Sequence, residues 1–335
     1  MIAYELIDFL SLQNNLLFQA GIMSLKDSMS ENKKRHPYII KNLKLRSKII
    51  QEIRQFFNNR EYLEVETPCR IPAPAPEAYI EAFESNEYFL QTSPELYMKR
   101  LLASGYPKIF QICRCFRKHE RGARHLPEFT MLEWYCSDSN YFDMMNESEA
   151  LIKHVACKLG FEKTLIYQGK SINIDKPWER ITVSKAFQKY ASISIEKALS
   201  DDLFDETIAQ IEHKLGTDVP VFIYDYPASC GALAKLKSSN SLLAERFELY
   251  ICGIELCNAF TELTDPVEQR RRFEKELKLR KKAGLKAYPM PEKFLESLSH
   301  MPEASGNALG LDRLVMFFAN AKSIDDVIAF TPEEL

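Results

Sequence analysis

The sequence contains no apolar run long enough to cross a membrane, for which a helix needs about 20 consecutive apolar residues. Its N-terminal apolar stretch is interrupted by Glu5 and Asp8, which do not fit the apolar core of a secretory signal. The 335 residues are 46% hydrophobic, which suffices for one large core or two modest ones. We therefore expect a folded protein with neither a membrane span nor a secretory signal.

An excess of positive charge is also missing. The formal net charge is −3, and the isoelectric point is about 6.2. Proteins that bind nucleic acid mainly through its phosphates usually have a basic surface. The composition gives no reason to expect such binding, although it is compatible with local basic patches.

Closely spaced cysteine pairs of the kind that bind zinc are lacking too. The eight cysteines are scattered, mostly in apolar segments. Cys113 and Cys115 have no second pair at zinc-site spacing, which argues against a metal site there. We predict small core residues in a reducing compartment, and hence a cytoplasmic protein.

What the sequence does have is a charged hairpin at 110–135, FQICRCFRKHERGARHLPEFTMLEWY. Both flanks alternate with the period of two that is typical of half-buried strands, and Phe129, Met131 and Glu133 share one face of the second. The intervening loop is cationic: Lys118, His119, Arg121, Arg124 and His125. A cationic loop between apolar strands suits a polyphosphate site, and a solvated surface hairpin fits the same pattern.

The first 70 residues predict a helix followed by a strand. Apolar positions recur at helical spacing over 43–59, and LEVETP then reads as a strand that ends at Pro68. A dimer interface and an ordinary helix–strand pair are both compatible with this pattern. Residues 1–40 could form an added surface helix or a partner-binding arm, or reflect an upstream start codon.

A predicted turn and helix follow an extended, proline-rich loop at 71–79. Ser93 is a suitable N-cap for a helix beginning at Pro94, with Glu95 in its first turn. A carboxylate here could bind a substrate ammonium, or simply favour the N-terminus of the helix.

The second half predicts a helix over 141–160, short strands and two or three helices over 163–220, and a buried strand over 221–227. Two further strands follow over 244–265, with Gly253 at the bend. Strict alternation puts Glu255 on the face opposite Asn258, Phe260 and Glu262. The highly charged helix that Thr264 and Asp265 open is predicted to be a solvated face.

Two features of these strands suggest ligands. Glu248 and Glu255 lie on adjacent strands, where paired carboxylates could hold Mg²⁺ against triphosphate oxygens. Glu262 faces inward, and a buried charge is costly unless a cationic ligand or an arginine neutralises it.

A glycine-spaced segment, GNALGLDRLVM at 306–316, precedes the last long helix. Gly306, Ala308 and Gly310 are expected to keep the backbone open against a nucleotide. Arg313 is expected in the first turn of that helix, within reach of a phosphate. Alone this pattern is a weak signal.

The hairpin, together with QTSPELYMKRLL at 91–102, GIELCNAFTELTD at 253–265 and the glycine-spaced segment, resembles the class II aminoacyl-tRNA synthetases in their lysyl form. The resemblance covers roughly residues 43–330 and implies an α+β catalytic domain, an antiparallel sheet flanked by helices. It implies 41–335 as that domain, 1–40 as an extension, and about 160–220 as an insertion. The chain also closely resembles the short lysyl paralogues that attach (R)-β-lysine to elongation factor P.

The resemblance also implies site residues, with Arg117 and Arg313 as the catalytic pair. It implies contacts to ATP from Arg117, Lys118, His119, His125, Leu126, Phe129, Glu255, Leu256, Gly310 and Arg313. It implies contacts to lysine or (R)-β-lysine from Ser93, Pro94, Glu95, Tyr135, Asn258, Glu262 and Ala308. It implies Glu248 and Glu255 as the Mg²⁺ ligands, and the helix–strand pair at 43–68 as the interface of a homodimer.

Three departures from the family pattern affect catalysis. His119 stands where the family has a glutamate that helps to recognise adenine, and Glu120 could replace it. Leu126 replaces a polar residue, and Ala259 replaces a glycine, which could tighten the substrate pocket.

The acceptor follows from further features of the resemblance. The residues before the first helix lack the repeated strands of an anticodon-binding barrel, which argues against tRNA. Ser93 and Ala308 match the elongation-factor ligases, where tRNA-charging enzymes usually have alanine and glycine. We therefore expect ATP-dependent activation of (R)-β-lysine or lysine and transfer to a lysine of elongation factor P. A binding or regulatory paralogue that has lost activation, and a ligase for another amino acid or amine, stay open.

Overall fold

The computed structural model describes residues 37–161 and 163–335. Over these residues the chain is an α+β protein whose main sheet is largely antiparallel and lies between helices, so the predicted fold class is confirmed. The three interpretations of residues 1–40 fall almost wholly outside the described residues. No helix within the described ranges is long and apolar enough to cross a membrane.

Nine helices are numbered here in chain order within the described ranges. Their bounds are α1 37–58, α2 Glu95–Ala103, α3 Tyr141–Lys158, α4 Val183–Tyr190, α5 Ile195–Ser200, α6 Phe204–Ile211, α7 Pro266–Lys282, α8 Glu292–Leu298 and α9 Leu311–Ala319. Short 3₁₀ turns occupy Glu212–Lys214, Ala228–Cys230, Ile324–Val327 and Pro332–Glu334.

The strands are numbered in the same way. Their bounds are β1 Leu63–Glu64, β2 Arg70–Ile71, β3 Glu84–Ser85, β4 Tyr88–Leu90, β5 Lys108–Phe116, β6 Glu128–Ser137, β7 Thr164–Tyr167, β8 Lys170–Asn173, β9 Glu179–Thr182, β10 Val221–Pro227, β11 Leu236–Lys237, β12 Asn240–Ile251, β13 Ile254–Thr261 and β14 Ala304–Gly310. The predicted hairpin strands, the strand at 221–227 and the two strands within 244–265 are confirmed.

Among the described residues, the main sheet runs in the order β1-β5-β6-β14-β13-β12-β10-β9, with β11 beside β12. The pairs β1–β5 and β9–β10 are parallel, and every pairing between β5 and β10 is antiparallel. The two hairpins β5–β6 and β12–β13 thus lie on either side of β14, although β14 is more than 40 residues later in the chain than either.

The two faces of the sheet differ in polarity because alternate residues point to opposite sides. On one face Leu132, Trp134 and Ala259 join the main hydrophobic core, which α3 and α9 cover. On the other face β6, β14, β13 and β12 present polar side chains, while α2 packs at one end. The candidate site lies on this second face.

The predicted starts of two helices, α3 and α7, agree with the structure, and both have side-chain N-caps. Asn140 and Asp143 form a reciprocal capping box at the start of α3, within the helix predicted over 141–160. Asp265 caps α7, with Pro266 in its first turn, as predicted. The helix predicted at 43–59 is longer, since its described part runs from 37 to 58. The proposed domain boundaries stay a prediction.

The predicted start of α2 is wrong by one residue. The helix begins at Glu95, and Pro94 is its N-cap without a side-chain cap. The Ser93 hydroxyl accepts a hydrogen bond from the Glu95 amide at 3.0 Å. Because that hydroxyl also donates to Glu133 at 2.7 Å, Ser93 ties the start of α2 to strand β6.

The prediction that α7 is a solvated helix is wrong for one of its faces. Gln269, Phe273 and Arg280 are buried on one stripe. The Arg280 guanidinium donates to the carbonyls of Glu77 and Ile80 at 2.7 and 2.6 Å, so this charged helix holds the proline-rich loop in place.

The predicted face of Glu255 is also wrong. Glu248 lies opposite Asn258, and Leu249 lies opposite Cys257, but Tyr250 lies opposite Glu255. This irregularity leaves one extra residue in β13, and such a bulge changes the side to which the next side chain points. Glu255 therefore shares a cavity with Glu248 and Asn258.

Candidate active site

The floor of the site is the polar face of the sheet, and direct cross-strand pairing sets its rows. One row runs through Glu133, Ala308, Asn258 and Glu248, each paired with the next. The next row, two residues along, runs through Tyr135, Gly306, Phe260 and Arg246. Residues that pair directly point to the same side of a sheet, so these chemically active groups share one surface.

A cavity of about 390 Å³, here called the central cavity, lies on this floor. The predicted site residues that line it are Arg117, His125, Leu126, Phe129, Glu248, Glu255, Leu256, Asn258, Ala308, Gly310 and Arg313. Arg117 follows directly after β5, and Arg313 lies in the first turn of α9, as expected. The two guanidinium groups therefore share one cavity.

Arg313 is fixed by contacts that orient its planar group. It donates to the Glu255 carbonyl at 2.9 Å and to the carbonyl of Arg124 at 3.2 Å. Its Nη2 lies 2.6 Å from Nε2 of His125. Burial, together with the charge of Arg313, lowers the pKa of His125, so a neutral imidazole accepts the hydrogen bond.

Arg117 is held more loosely. Its Nε donates to the Thr92 carbonyl at 3.4 Å, and its Nη1 lies 3.8 Å from the Glu120 carboxylate. Its guanidinium carbon lies 5.1 Å from the centre of the Phe129 ring, in a cation–π contact. A loosely tethered, always charged fork can reorient toward an arriving phosphate or carboxylate.

Glu248 and Glu255 bring two carboxylates to the same cavity. Glu248 accepts hydrogen bonds from Arg246 at 2.6 Å, Tyr226 at 2.6 Å and Tyr250 at 2.7 Å. Burial raises its pKa, and the charge of Glu255 adds to the shift. The residues that the structure describes contain no group of three or more potential ligands that could hold a metal by themselves. The pair nevertheless fits Mg²⁺, which commonly uses one or two carboxylates plus substrate phosphates.

Beside the central cavity lies an acidic cluster, defined here as Glu95, Glu133 and Glu262. The buried Lys99 ammonium forms ion pairs with Glu95 and Glu262. These carboxylates raise the pKa of Lys99 although burial acts in the opposite direction. Glu262 is only 1% exposed, and its Oε1 is buried without a hydrogen-bond partner among the described residues.

Glu133 is bound by neutral donors only. Ser93 and Tyr135 each donate to it at 2.7 Å. Burial raises the pKa of Glu133 to about 7, and the negative charge of Glu95 adds to that shift. Burial likewise raises the pKa of Glu262 to about 8. The cluster thus carries three acids and one ammonium, so it lacks positive charge.

Gly306 has a different role from the one predicted. A Cβ atom at this position would overlap the Tyr135 ring and the Glu262 carboxylate. Gly306 therefore permits the close packing of the acidic cluster and does not face the central cavity. Gly310 does line the central cavity.

Two predicted nucleotide contacts lie outside the central cavity. Lys118 donates to Glu81 at 3.0 Å, and the His119 side chain is 82% exposed. His119 has a left-handed backbone with φ of 64°, which turns the chain so that the next residue, Glu120, lines the cavity. Arg121 is also outside, paired with Asp325 and Glu333.

Sequence reasoning missed four residues of the site. Arg246 and Arg124 line the central cavity, as does Glu77 from the proline-rich loop. Glu133 was placed on the correct face but given no role. The period of two that joins Phe129, Met131, Glu133 and Tyr135 was the available signal, since it puts a charged residue on a buried face.

Comparison with known proteins gives a consistent result. The family model described as tRNA synthetases class II (D, K and N) matches residues 27–334.

Two similar proteins are elongation factor P–(R)-beta-lysine ligases. The one from Hamiltonella defensa is 39% identical over 316 residues, which cover 88% of this chain and 96% of that protein. The one from Salmonella gallinarum is 40% identical over 313 residues, which cover 87% and 95%. A lysine–tRNA ligase from Campylobacter jejuni is 37% identical over 343 aligned residues, which cover 91% of this chain but 68% of that protein.

Proposed function

The chain belongs to the family of class II tRNA synthetases (D, K and N), and from this premise we propose that it is an ATP-dependent ligase that joins (R)-β-lysine to elongation factor P. The proposed reaction has two steps. The substrate carboxylate first attacks the α-phosphate of ATP to give an aminoacyl adenylate. A lysine ε-amine of the factor then attacks the activated carbonyl.

A single observation carries this proposal. A cavity lined by four arginines, Arg117 and Arg313 among them, lies on the same sheet face as a buried acidic cluster that lacks positive charge. A nucleotide triphosphate suits the first and a diammonium acid suits the second. The carboxylate of such a substrate would then lie between them.

The first step needs positioning and charge neutralisation more than covalent work by the protein. Arg117 would bind the α-phosphate and the attacking carboxylate, and Arg313 would bind the γ-phosphate with neutral His125 beside it. Phe129 can stack on adenine, and Glu120 can accept from its amino group. Mg²⁺, held by Glu248 and Glu255, would neutralise phosphate charge.

The amino-acid pocket follows from the acidic cluster. Oε1 of Glu262 has an unfilled acceptor site for the distal ammonium, beside the Tyr135 ring. Glu95 and Glu133, with Ser93 and Pro94 at the start of α2, would bind the second ammonium. Asn258 and Ala308 form the boundary of the pocket on the side of the central cavity.

The acceptor is inferred from the lengths of the relatives and from two residues. The chain matches almost the whole length of the two elongation-factor ligases but about two thirds of the lysine–tRNA ligase. Ser93 donates to Glu133 and Ala308 lines the central cavity, so both residues that distinguish the two groups touch the site. The same proposal includes a homodimer that forms through α1 and β1. It also includes a reducing cytoplasm, which suits eight free cysteines.

The proposal is tested by incubation with ATP, (R)-β-lysine and unmodified elongation factor P. We expect the mass of the factor to rise by one lysyl residue, and no rise when ATP is omitted. An unchanged mass with all three components present would reject the ligase assignment. ATP–pyrophosphate exchange separates the competitors, since a binding or regulatory paralogue shows none and a ligase for another amine responds to that amine.

A further inference from the structure

The central cavity has a neighbour that no part of the proposed function uses. This side cavity, of about 540 Å³, lies between the loop at 76–80, the 3₁₀ turn at Ala228–Cys230 and helix α7. Tyr79, which is 80% exposed, lines it, so the side cavity opens to solvent. Glu77, Ile80 and Arg246 line both cavities.

The loop that separates the two cavities is held firmly. Besides the two hydrogen bonds from Arg280, the Ala78 amide donates to Glu276 at 2.9 Å. The Tyr288 hydroxyl accepts from the Ala82 amide at 2.7 Å. A group carried by this loop therefore has a fixed position at the boundary of the cavities.

That group is the Glu77 carboxylate. It has no hydrogen-bond or ion-pair partner among the residues that the structure describes. Burial raises its pKa to about 7. The charged groups that act on it are Arg117 beside β5, Glu95 of α2, Glu276 of α7 and Arg246 of β12.

We propose that Glu77 is the general base of the transfer step and that the acceptor's alkylammonium reaches it through the side cavity. This inference rests on the proposed function. An alkylammonium with a pKa of about 10.4 is almost fully protonated at neutral pH and has no lone pair for attack. A carboxylate at the boundary of the cavities can remove a proton from the arriving ammonium beside the adenylate carbonyl.

The step balances without a further reactant. The Glu77 carboxylate takes one proton from the ammonium, and the nitrogen lone pair forms the new bond to the adenylate carbonyl carbon. The carbon–oxygen bond to AMP then breaks, and its electron pair leaves with the phosphate. The attacking nitrogen loses its second proton to solvent, which yields a neutral amide.

Single-turnover transfer from preformed adenylate tests the role with Glu77→Gln and, as a matched control on exposed α7 surface, Glu274→Gln. Removing a general base lowers rates by about 10²–10⁴-fold, so we expect such a loss for Glu77→Gln with elongation factor P. Hydroxylamine is largely unprotonated at neutral pH and needs no base, so it should consume the adenylate equally fast with both variants. The wild-type transfer rate should rise with pH through about 7, and Glu77→Asp should keep this dependence.

Three results would overturn the inference. The first is transfer by Glu77→Gln at the wild-type rate. The second is an equal loss with hydroxylamine, and the third is a raised KM for the amino acid in exchange, because in either case Glu77 would act on the adenylate or its substrate. If wild-type protein shows no exchange at all, the proposed function fails and this inference fails with it.

Discussion

At the scale of residues, the acidic cluster is the feature with the clearest chemical consequence. Glu95 and Glu262 share the single ammonium of Lys99, and Glu133 beside them is bound by neutral donors only. Buried carboxylates without full compensation are costly, and the raised pKa values of Glu133 and Glu262 express that cost. A ligand with two ammonium groups would supply the missing positive charge.

Replacing Glu262 by glutamine should weaken binding of the amino acid selectively. A hydrogen bond to a charged group contributes about 1.5–3 kcal/mol, so we expect the KM for (R)-β-lysine in exchange to rise about 10–150-fold. The KM for ATP should stay within a factor of about three. Glu303→Gln, at an exposed residue paired with Lys235, is the control. An unchanged KM for the amino acid in Glu262→Gln would remove the distal-ammonium role.

Affinity for the diammonium substrate should increase with pH. The pKa values of about 7 for Glu133 and about 8 for Glu262 mean that both acids hold protons below neutrality, and a bound ammonium requires them ionised. Calorimetry should therefore record proton release on binding and tighter binding at pH 8.5 than at pH 6. Affinity that falls or stays constant over this range would contradict the charge arrangement.

The same raised pKa values of Glu133 and Glu262 make the ligand-free protein less stable as pH rises, whereas ligand affinity increases with pH. Both acids have a folded-state pKa above the unfolded value of 4.5, so the folded form binds more protons. Their contribution to the free energy of unfolding should fall as pH rises from about 4.5 to about 8. Substrate should therefore raise the melting temperature more at pH 8 than at pH 6.

At the scale of elements, α7 and β14 each support the site through one residue. The Arg280 guanidinium of α7 donates to the carbonyls of Glu77, Ile80 and Lys286 and lies 3.9 Å from the centre of the Tyr288 ring. Gly306 of β14 makes room for Tyr135 and Glu262. Neither residue lines the central cavity. Arg280 fixes Glu77 and Ile80, which do line it, and Gly306 makes room for the acidic cluster beside it.

Substituting Arg280 by methionine should destabilise the protein more than a surface change on the same helix. Three carbonyls lose a charged donor, for which we expect a loss of about 2–4 kcal/mol in the free energy of unfolding. Lys278→Met, at an exposed position of α7, should change it by less than about 0.5 kcal/mol. Urea unfolding of both variants measures the difference, and equal midpoints would show that Arg280 does not hold the loop.

Gly306→Ala should disturb the acidic cluster, because its Cβ overlaps Tyr135 and Glu262. Overpacking of this kind costs about 1–3 kcal/mol, and the KM for the amino acid should rise as well. The stability control is Gly310→Ala, where the nearest atom, Cδ of Arg313, is 3.6 Å from the added Cβ. Equal stability of the two variants would contradict the close packing.

The sequence predicted most elements and the polar face, because period-two and helical patterns are local signals. It paired Glu255 with Glu248 but placed Glu255 on the face opposite Asn258, since its true side depends on a bulge in the β12–β13 pairing. It expected a cationic ligand or an arginine beside Glu262, whereas the structure places the Lys99 ammonium of α2 there. It missed Arg280 and Glu77 because their roles depend on contacts about 200 residues apart.

At the scale of the whole molecule, the sheet separates two environments. One face packs against α3 and α9 in the main core, and the other gathers arginine and glutamate residues from strands β6, β12 and β13 and from α2. In the proposed function, such a division would let one rigid floor bind a nucleotide and a charged amino acid side by side. Hairpins and helices from distant parts of the chain meet at this floor and hold its side chains in position.

The most direct measurement of the central claim is ATP–pyrophosphate exchange with matched substrates. The acids to compare are (R)-β-lysine, 6-aminohexanoic acid, which lacks the ammonium near the carboxylate, and 3-aminohexanoic acid, which lacks the distal one. We predict strong exchange with (R)-β-lysine and at most about one hundredth of its kcat/KM with either monoammonium acid. Equal exchange with a monoammonium acid would contradict a pocket that selects two ammonium groups.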